Sequence, residues 1–180
     1  MIMRKQKADY ILENSGLVTE LSRFGKVHVV GSARTGLMSS NDIDIYVENS
    51  AMSIDHLYEF TSYILRTFRP TWYEAKEEMN REGKLVYFHG FEAVIASEKW
   101  NFDIWFFDRD TINEAEALCE RIEREINEYP AKKNAVMEIK NALITKGLYS
   151  FDKYTGMDVY KAVFDMNIMS FDAFFEKFCK

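Results

Sequence analysis

Val27-His28-Val29-Val30-Gly31-Ser32, then Ala33-Arg34-Thr35-Gly36-Leu37-Met38-Ser39-Ser40-Asn41, then Asp42-Ile43-Asp44-Ile45-Tyr46-Val47: these three consecutive stretches decide the fold. A β-branched strand runs into a turn of small residues, and a second apolar strand carries two aspartates. Strand side chains alternate with a period of two, so Asp42 and Asp44 share one face while Ile43 and Ile45 share the other. Two carboxylates one step apart repel and raise each other's pKa unless positive charge sits between them. A hard divalent cation such as Mg²⁺ fits that place, because it takes oxygen ligands and keeps positions free for phosphate oxygens. Gly31-Ser32 offers a turn without a bulky side chain, where backbone N–H groups and a hydroxyl can hold an anion. A phosphate holder next to a metal holder predicts a site for a metal-bound nucleoside triphosphate.

The chain resembles the nucleotidyltransferase superfamily, which includes DNA polymerase beta and the bacterial antibiotic-adenylylating enzymes. The shared pattern is a hydrophobic residue, Gly, Gly or Ser, a spacer, then Asp-hydrophobic-Asp/Glu-hydrophobic. Here the spacer is Ala33 to Asn41, at the short end of the family's range. The resemblance implies a third acidic residue on a later strand. Trp100-Asn101-Phe102-Asp103-Ile104-Trp105-Phe106-Phe107 supplies it, a strand-forming run with one charge at its centre. A lone aspartate among aromatics is costly to bury unless it is paired or metal-bound. Gly-Ser turns and Asp-X-Asp pairs are each commonplace; the combination with Asp103 is what singles out this fold.

The resemblance implies an enzyme, a nucleotidyltransferase with two Mg²⁺ ions, or Mn²⁺ in their place. It would move a nucleoside monophosphate from an NTP, ATP foremost, to a hydroxyl acceptor and release pyrophosphate. Asp42 and Asp44 are expected to bind the ion that escorts the triphosphate and to share the second ion with Asp103. Asp103, confined to an apolar strand, is also the candidate for taking the acceptor's proton. Gly31 and Ser32 are expected to contact the β- and γ-phosphates. Arg34 either reaches the same phosphates through its fork of donors or is a surface arginine.

Composition narrows the acceptor. The net charge is −6, whereas a protein that grips long nucleic acid usually carries a basic stripe. Long nucleic acid is therefore disfavoured and a small molecule or a protein favoured as acceptor; the small molecule comes first, because similar enzymes that nucleotidylate a protein partner are usually only the core and lack a helical region like that beyond Asp110. From a different class, a nucleotide-binding or interaction module that keeps the fold without turnover is the alternative. Eight lysines against six acids between residues 131 and 180 read as a solvated helix face rather than a triphosphate grip. Cys119 and Cys179 have no paired spacing, so neither a disulfide framework nor a zinc site is expected. His28, His56 and His89 are scattered without ligand spacing and read as packing or surface residues. Reduced thiols, an N-terminus without a signal-like apolar run, and no membrane-length apolar stretch predict a cytoplasmic protein.

The expected architecture is α+β: a nucleotidyltransferase fold with a mixed sheet flanked by helices, and a C-terminal helical region. The core is expected over residues 1–109, with the helical region 110–180 packed on it. A helix is expected from Arg4 to Phe24, with a possible break at Ser15-Gly16 and Gly25 as its C-terminal glycine. Another runs from Ser53 or Asp55 to Phe68. Trp72 to Met79 is ambiguous. Lys84–His89 and Phe91–Ala96 read as two strands joined at His89-Gly90, leading to the Asp103 strand. Helices follow over Thr111–Tyr129, Ala131–Leu148, Thr155–Phe164 and from Ser170 to Phe178. The last two superficially suggest a helix-turn-helix. FDAFFEKF, however, offers phenylalanines and acids where a recognition helix needs basic and amide groups, so core packing is expected.

Overall fold

The computed structural model of the chain describes residues 3–49, 51–80 and 83–178; Cys179 lies outside them. Two compact units are present, Met1–Ala117 and Leu118–Lys180, and the boundary falls inside a helix.

In the first unit the N-terminal segment forms α1 (Arg4–Asn14) and α2 (Leu17–Leu21), broken at Ser15-Gly16, where Gly16 takes φ +77°. Strand β1 (Lys26–Val30) leads into the single-turn α3 (Gly31–Thr35) and then β2 (Asp42–Glu48). Helix α4 (Ile54–Thr67) is capped by Ser53, whose hydroxyl accepts from the His56 backbone N–H at 3.3 Å. Three strands follow: β3 (Trp72–Met79), β4 (Leu85–Ile95) and β5 (Glu98–Phe107). The sheet order is β1-β2-β5-β4-β3, and only the β2–β5 pair is parallel. A helix and an antiparallel meander separate β2 from β5 in sequence, which gives the chain the length to bring β5 back alongside β2.

Alternation divides the sheet. Ile43, Ile45, Val47, Phe102, Ile104 and Phe106 point to one face, where they are fully buried with Phe60 and Ile64 of α4 and with Ala8, Leu17 and Leu21. The opposite face carries Asp42, Asp44, Asn101 and Asp103. A one-residue slip in either strand would bury the carboxylates and expose the isoleucines, so the register is strongly specified.

One open stretch is resolved and two expectations need correction. Trp72–Met79 is a strand, at the edge of the sheet, whose mixed Glu and Lys pattern hid it. Gly90 makes no turn; β4 is continuous through it, and the hairpin to β5 lies at Ala96-Ser97, both at positive φ. A Cβ at Gly90 would stand 2.8 Å from Phe88 Cζ and 3.0 Å from Trp72 Cη2, so this glycine makes room for two rings. Gly25 is not a helix cap either: α2 ends at Leu21, and a Cβ at Gly25 would meet Glu48 O at 2.2 Å. That glycine lets the chain pass close to the end of β2.

Helix α5 (Arg109–Glu128) begins in the first unit and ends in the second. There Pro130 opens α6 (Pro130–Thr145), followed by α7 (Gly156–Tyr160), a π-helical turn (Lys161–Asp165) and α8 (Phe171–Phe178). Thr155 and Asp158 form a capping box at α7. Phe174 is fully buried and stacks on Phe178 with centroids 4.8 Å apart, the packing expected of α8. The lysines of this unit are not uniformly solvated. Lys140 is only 2% exposed, donating to Tyr160 Oη at 3.0 Å, and Lys132 pairs with Glu125 at 2.5 Å.

Candidate active site

The parallel register of β2 and β5 sets Asp42 opposite Asn101 and Asp44 opposite Asp103. Residues in register share a face, so three carboxylates from two strands converge. One oxygen from each of Asp42, Asp44 and Asp103 lies within 4.8 Å of the others, all three residues half-buried. The structure thus brings together the three aspartates on adjacent strands.

Gly31 closes the site from the β1 side. Val30, the last residue of β1, pairs with Asp44, and the chain then turns into α3 with Gly31 at φ +62°. A Cβ at Gly31 would lie 2.4 Å from Asp44 Oδ2. Glycine is needed here twice over, for the backbone angle and for the approach to the carboxylate. Ser32 follows on the single turn of α3, whose end is tied down where the Gly36 and Leu37 N–H groups donate to Ser32 O at 3.0 and 3.1 Å. Arg34, on the same turn, donates from Nη1 to Glu116 Oε1 of α5 at 2.8 Å. The same oxygen lies 3.0 Å from His28 Nδ1. Arg34 is therefore engaged by a carboxylate rather than held out at the surface.

The electrostatics fit a cation. Burial pushes the Asp103 carboxyl up to about 6; Asp42 adds to this, an Asn101 side-chain hydrogen bond opposes it, and the charge of Glu74 adds a little more. Asn101 also donates from Nδ2 to Asp42 Oδ1 at 2.7 Å, bridging the acids of the two strands. Sequence reading passed over Asn101, although its position two residues before Asp103, on the same strand face, was the signal. The start of β2 is held firmly too. Arg4 donates to Asn41 Oδ1 at 2.9 Å and Met38 O at 3.0 Å, and Asn41 donates to Lys99 O at 3.1 Å. An all-carboxylate oxygen donor set suits a hard divalent ion such as Mg²⁺ or Mn²⁺.

The neighbouring acids have other work. Asp108 pairs with Lys84 at 2.5 Å and accepts from the Thr111 N–H at 3.0 Å at the start of α5, which pull its pKa down to about 2. Glu48 accepts two bonds from Arg109. Among the described residues no histidine joins a potential metal cluster.

This sheet order and site define the nucleotidyltransferase fold. Solved structures similar to the chain include a cytoplasmic RNA terminal U-transferase, with a TM-score of 0.61 and 18% identity, covering 89% of this chain and 45% of that one. The Cid1 poly(U) polymerase with Mg 3′-dATP bound gives 0.62 and 17%, covering 89% and 48%. The non-canonical poly(A) polymerase complex GLD-2–GLD-3 gives 0.58 and 14%, covering 94% and 56%. The chain thus spans about half the length of these structures, and at such identities the likeness is one of fold. No protein-family model and no curated protein matches the sequence. No described helix is long and apolar enough to cross a membrane.

Proposed function

We propose that the protein is a metal-dependent nucleotidyltransferase that moves a nucleoside monophosphate from an NTP, ATP foremost, to a hydroxyl acceptor. The convergence of Asp42, Asp44 and Asp103 carries this reading. Asp42 and Asp44 hold the divalent ion that accompanies the triphosphate, and Asp103 shares a second one. When bound, these ions neutralise charge on the phosphates and acidify the acceptor hydroxyl. Gly31 and Ser32 receive the β- and γ-phosphates beside Asp44. The acceptor oxygen forms a bond to the α-phosphorus, the bridging bond to the β-phosphate breaks, and pyrophosphate leaves. Asp103, on the strand beside the metal-holding pair, takes the hydroxyl proton and passes it to solvent. Asn101 orients Asp42 through its 2.7 Å bond. Arg34 must exchange Glu116 for phosphate if it is to serve the triphosphate.

Two acceptors fit this chemistry. The net charge of −6 favours a small molecule. The similar solved structures are a terminal U-transferase and poly(U) and poly(A) polymerases, which favours an RNA 3′-hydroxyl. Incubation with α-labelled NTPs and Mg²⁺, together with either a short RNA or a metabolite pool, followed by mass analysis of what gained a nucleotide, separates the two. Triphosphate binding without pyrophosphate release from any mixture would identify a nucleotide-binding module instead.

A further inference from the structure

One oxygen of Glu116 joins three elements of the first unit. Its Oε1 accepts from Arg34 Nη1 of α3 at 2.8 Å and lies 3.0 Å from Nδ1 of His28 on β1. A carboxylate oxygen can only accept, so the His28 proton is on Nδ1. The arrangement is costly, because His28 is only 9% exposed and its Nε2 is buried without a hydrogen-bond partner among the described residues. A buried ring nitrogen left unsatisfied is destabilising, and the fold keeps it to place one N–H on Glu116.

Glu116 is an anion built in beside the phosphate turn. Burial works against its charge, yet its pKa stands below the usual value, because the His28 hydrogen bond and the charges of Arg34, His28 and Lys26 favour the carboxylate. Arginine grips carboxylate and phosphate with the same fork of donors. Arg34 stands two residues beyond Ser32. A triphosphate at Gly31 and Ser32 and the Glu116 carboxylate are therefore rivals for one guanidinium. The exchange is feasible because Glu116 keeps His28 when Arg34 departs. A half-buried carboxylate stripped of every partner would be strongly destabilising, and one that retains a donor is less so.

Resting on the transferase reading above, we propose that Glu116 is a positioning residue that competes with the triphosphate for Arg34, and that His28 holds Glu116 in place during the exchange. Without nucleotide Arg34 stays on Glu116. When the β- and γ-phosphates arrive, Arg34 moves to them and Glu116 remains on His28. The contact thereby lowers triphosphate affinity.

A double-mutant cycle on the full chain tests this, with Arg34→Gln, Glu116→Gln and the two combined. Each protein is titrated calorimetrically with Mg²⁺ and an ATP analogue that cannot be cleaved between the α- and β-phosphorus, after its melting curve has verified that it is folded. A parent that does not bind the analogue refutes the transferase reading itself; the inference about Glu116 is judged on a parent that binds. Glu116→Gln should bind about tenfold more tightly than the parent, because Arg34 no longer has to leave a carboxylate. Arg34→Gln should weaken binding only about twofold in the parent but remove the whole gain in the Glu116→Gln background. Glu116→Asp, whose shorter side chain loosens the same contact, should tighten binding in the same direction and serves if Glu116→Gln does not fold. Merely removing a negative charge near an anionic ligand would tighten binding with or without Arg34. A gain that persists in the Arg34→Gln background, or unchanged or weaker binding by folded Glu116 variants, would overturn the inference.

Discussion

A methyl group at Gly31 would stand 2.4 Å from Asp44 Oδ2, so the backbone that follows β1 is moulded onto a carboxylate of the site. Gly31→Ala must push Asp44 away and also force an alanine to φ +62°. The backbone penalty alone is about 1–2 kcal/mol. We expect a melting temperature lowered by several degrees and a larger proportional loss of ATP–Mg²⁺ affinity, measured by thermal shift with and without nucleotide. Unchanged affinity would detach the Gly31 turn from the triphosphate.

Asp42→Asn and Asp44→Asn keep shape and remove charge. ATP with Mg²⁺ should raise the melting temperature of the parent protein by ligand linkage, and each variant should lose most of that rise while remaining folded. A nucleotide shift that needs no metal and survives both substitutions would place the ligand elsewhere.

Asp103→Asn separates catalysis from binding. Much of the triphosphate affinity should remain while pyrophosphate release falls by roughly two or more orders of magnitude. Metal-free stability should move the other way. The folded-state pKa of about 6 exceeds the ordinary value of 3.8, so the folded protein holds its proton longer than the unfolded chain does. Stability of the metal-free parent is therefore fully present below about pH 3.8 and declines as pH rises towards 6. At neutral pH without metal, Asp103→Asn should melt higher than the parent. Near-parental turnover would make Asp103 structural.

Opposite the site, His89 is completely buried, with Nδ1 2.8 Å from the Tyr73 hydroxyl and Phe60 edge-on at 4.9 Å. Burial drives its pKa down to about 3 from an ordinary 6.5. The unfolded chain binds this proton and the folded protein does not, so stability is complete above pH 6.5 and falls as pH drops towards 3. The slope from this group approaches about 1.4 kcal/mol per pH unit. Urea unfolding across that window should show the slope in the parent and its loss in His89→Gln, which keeps a polar partner for Tyr73. An identical slope in both proteins would assign the acid sensitivity to other groups.

What the sequence alone determined was local. A β-branched run ending in Gly31-Ser32, Asp42 and Asp44 spaced to share a face, and one charge inside the Asp103 strand each follow from short-range alternation and turn chemistry. So do the Ser53 cap and the break at Gly16, because each depends on residues a few positions apart. The tertiary structure decided the pairing of β2 with β5, which turns three separate aspartates into one cluster and brings in Asn101. It also decided that Gly90 sits within a strand, since an isolated strand glycine fits a turn or a close approach equally well until the Phe88 and Trp72 rings are in place. The edge strand β3 stayed ambiguous in the sequence on similar grounds. Its Glu and Lys side chains carry no apolar alternation, and only hydrogen bonding to β4 makes it a strand.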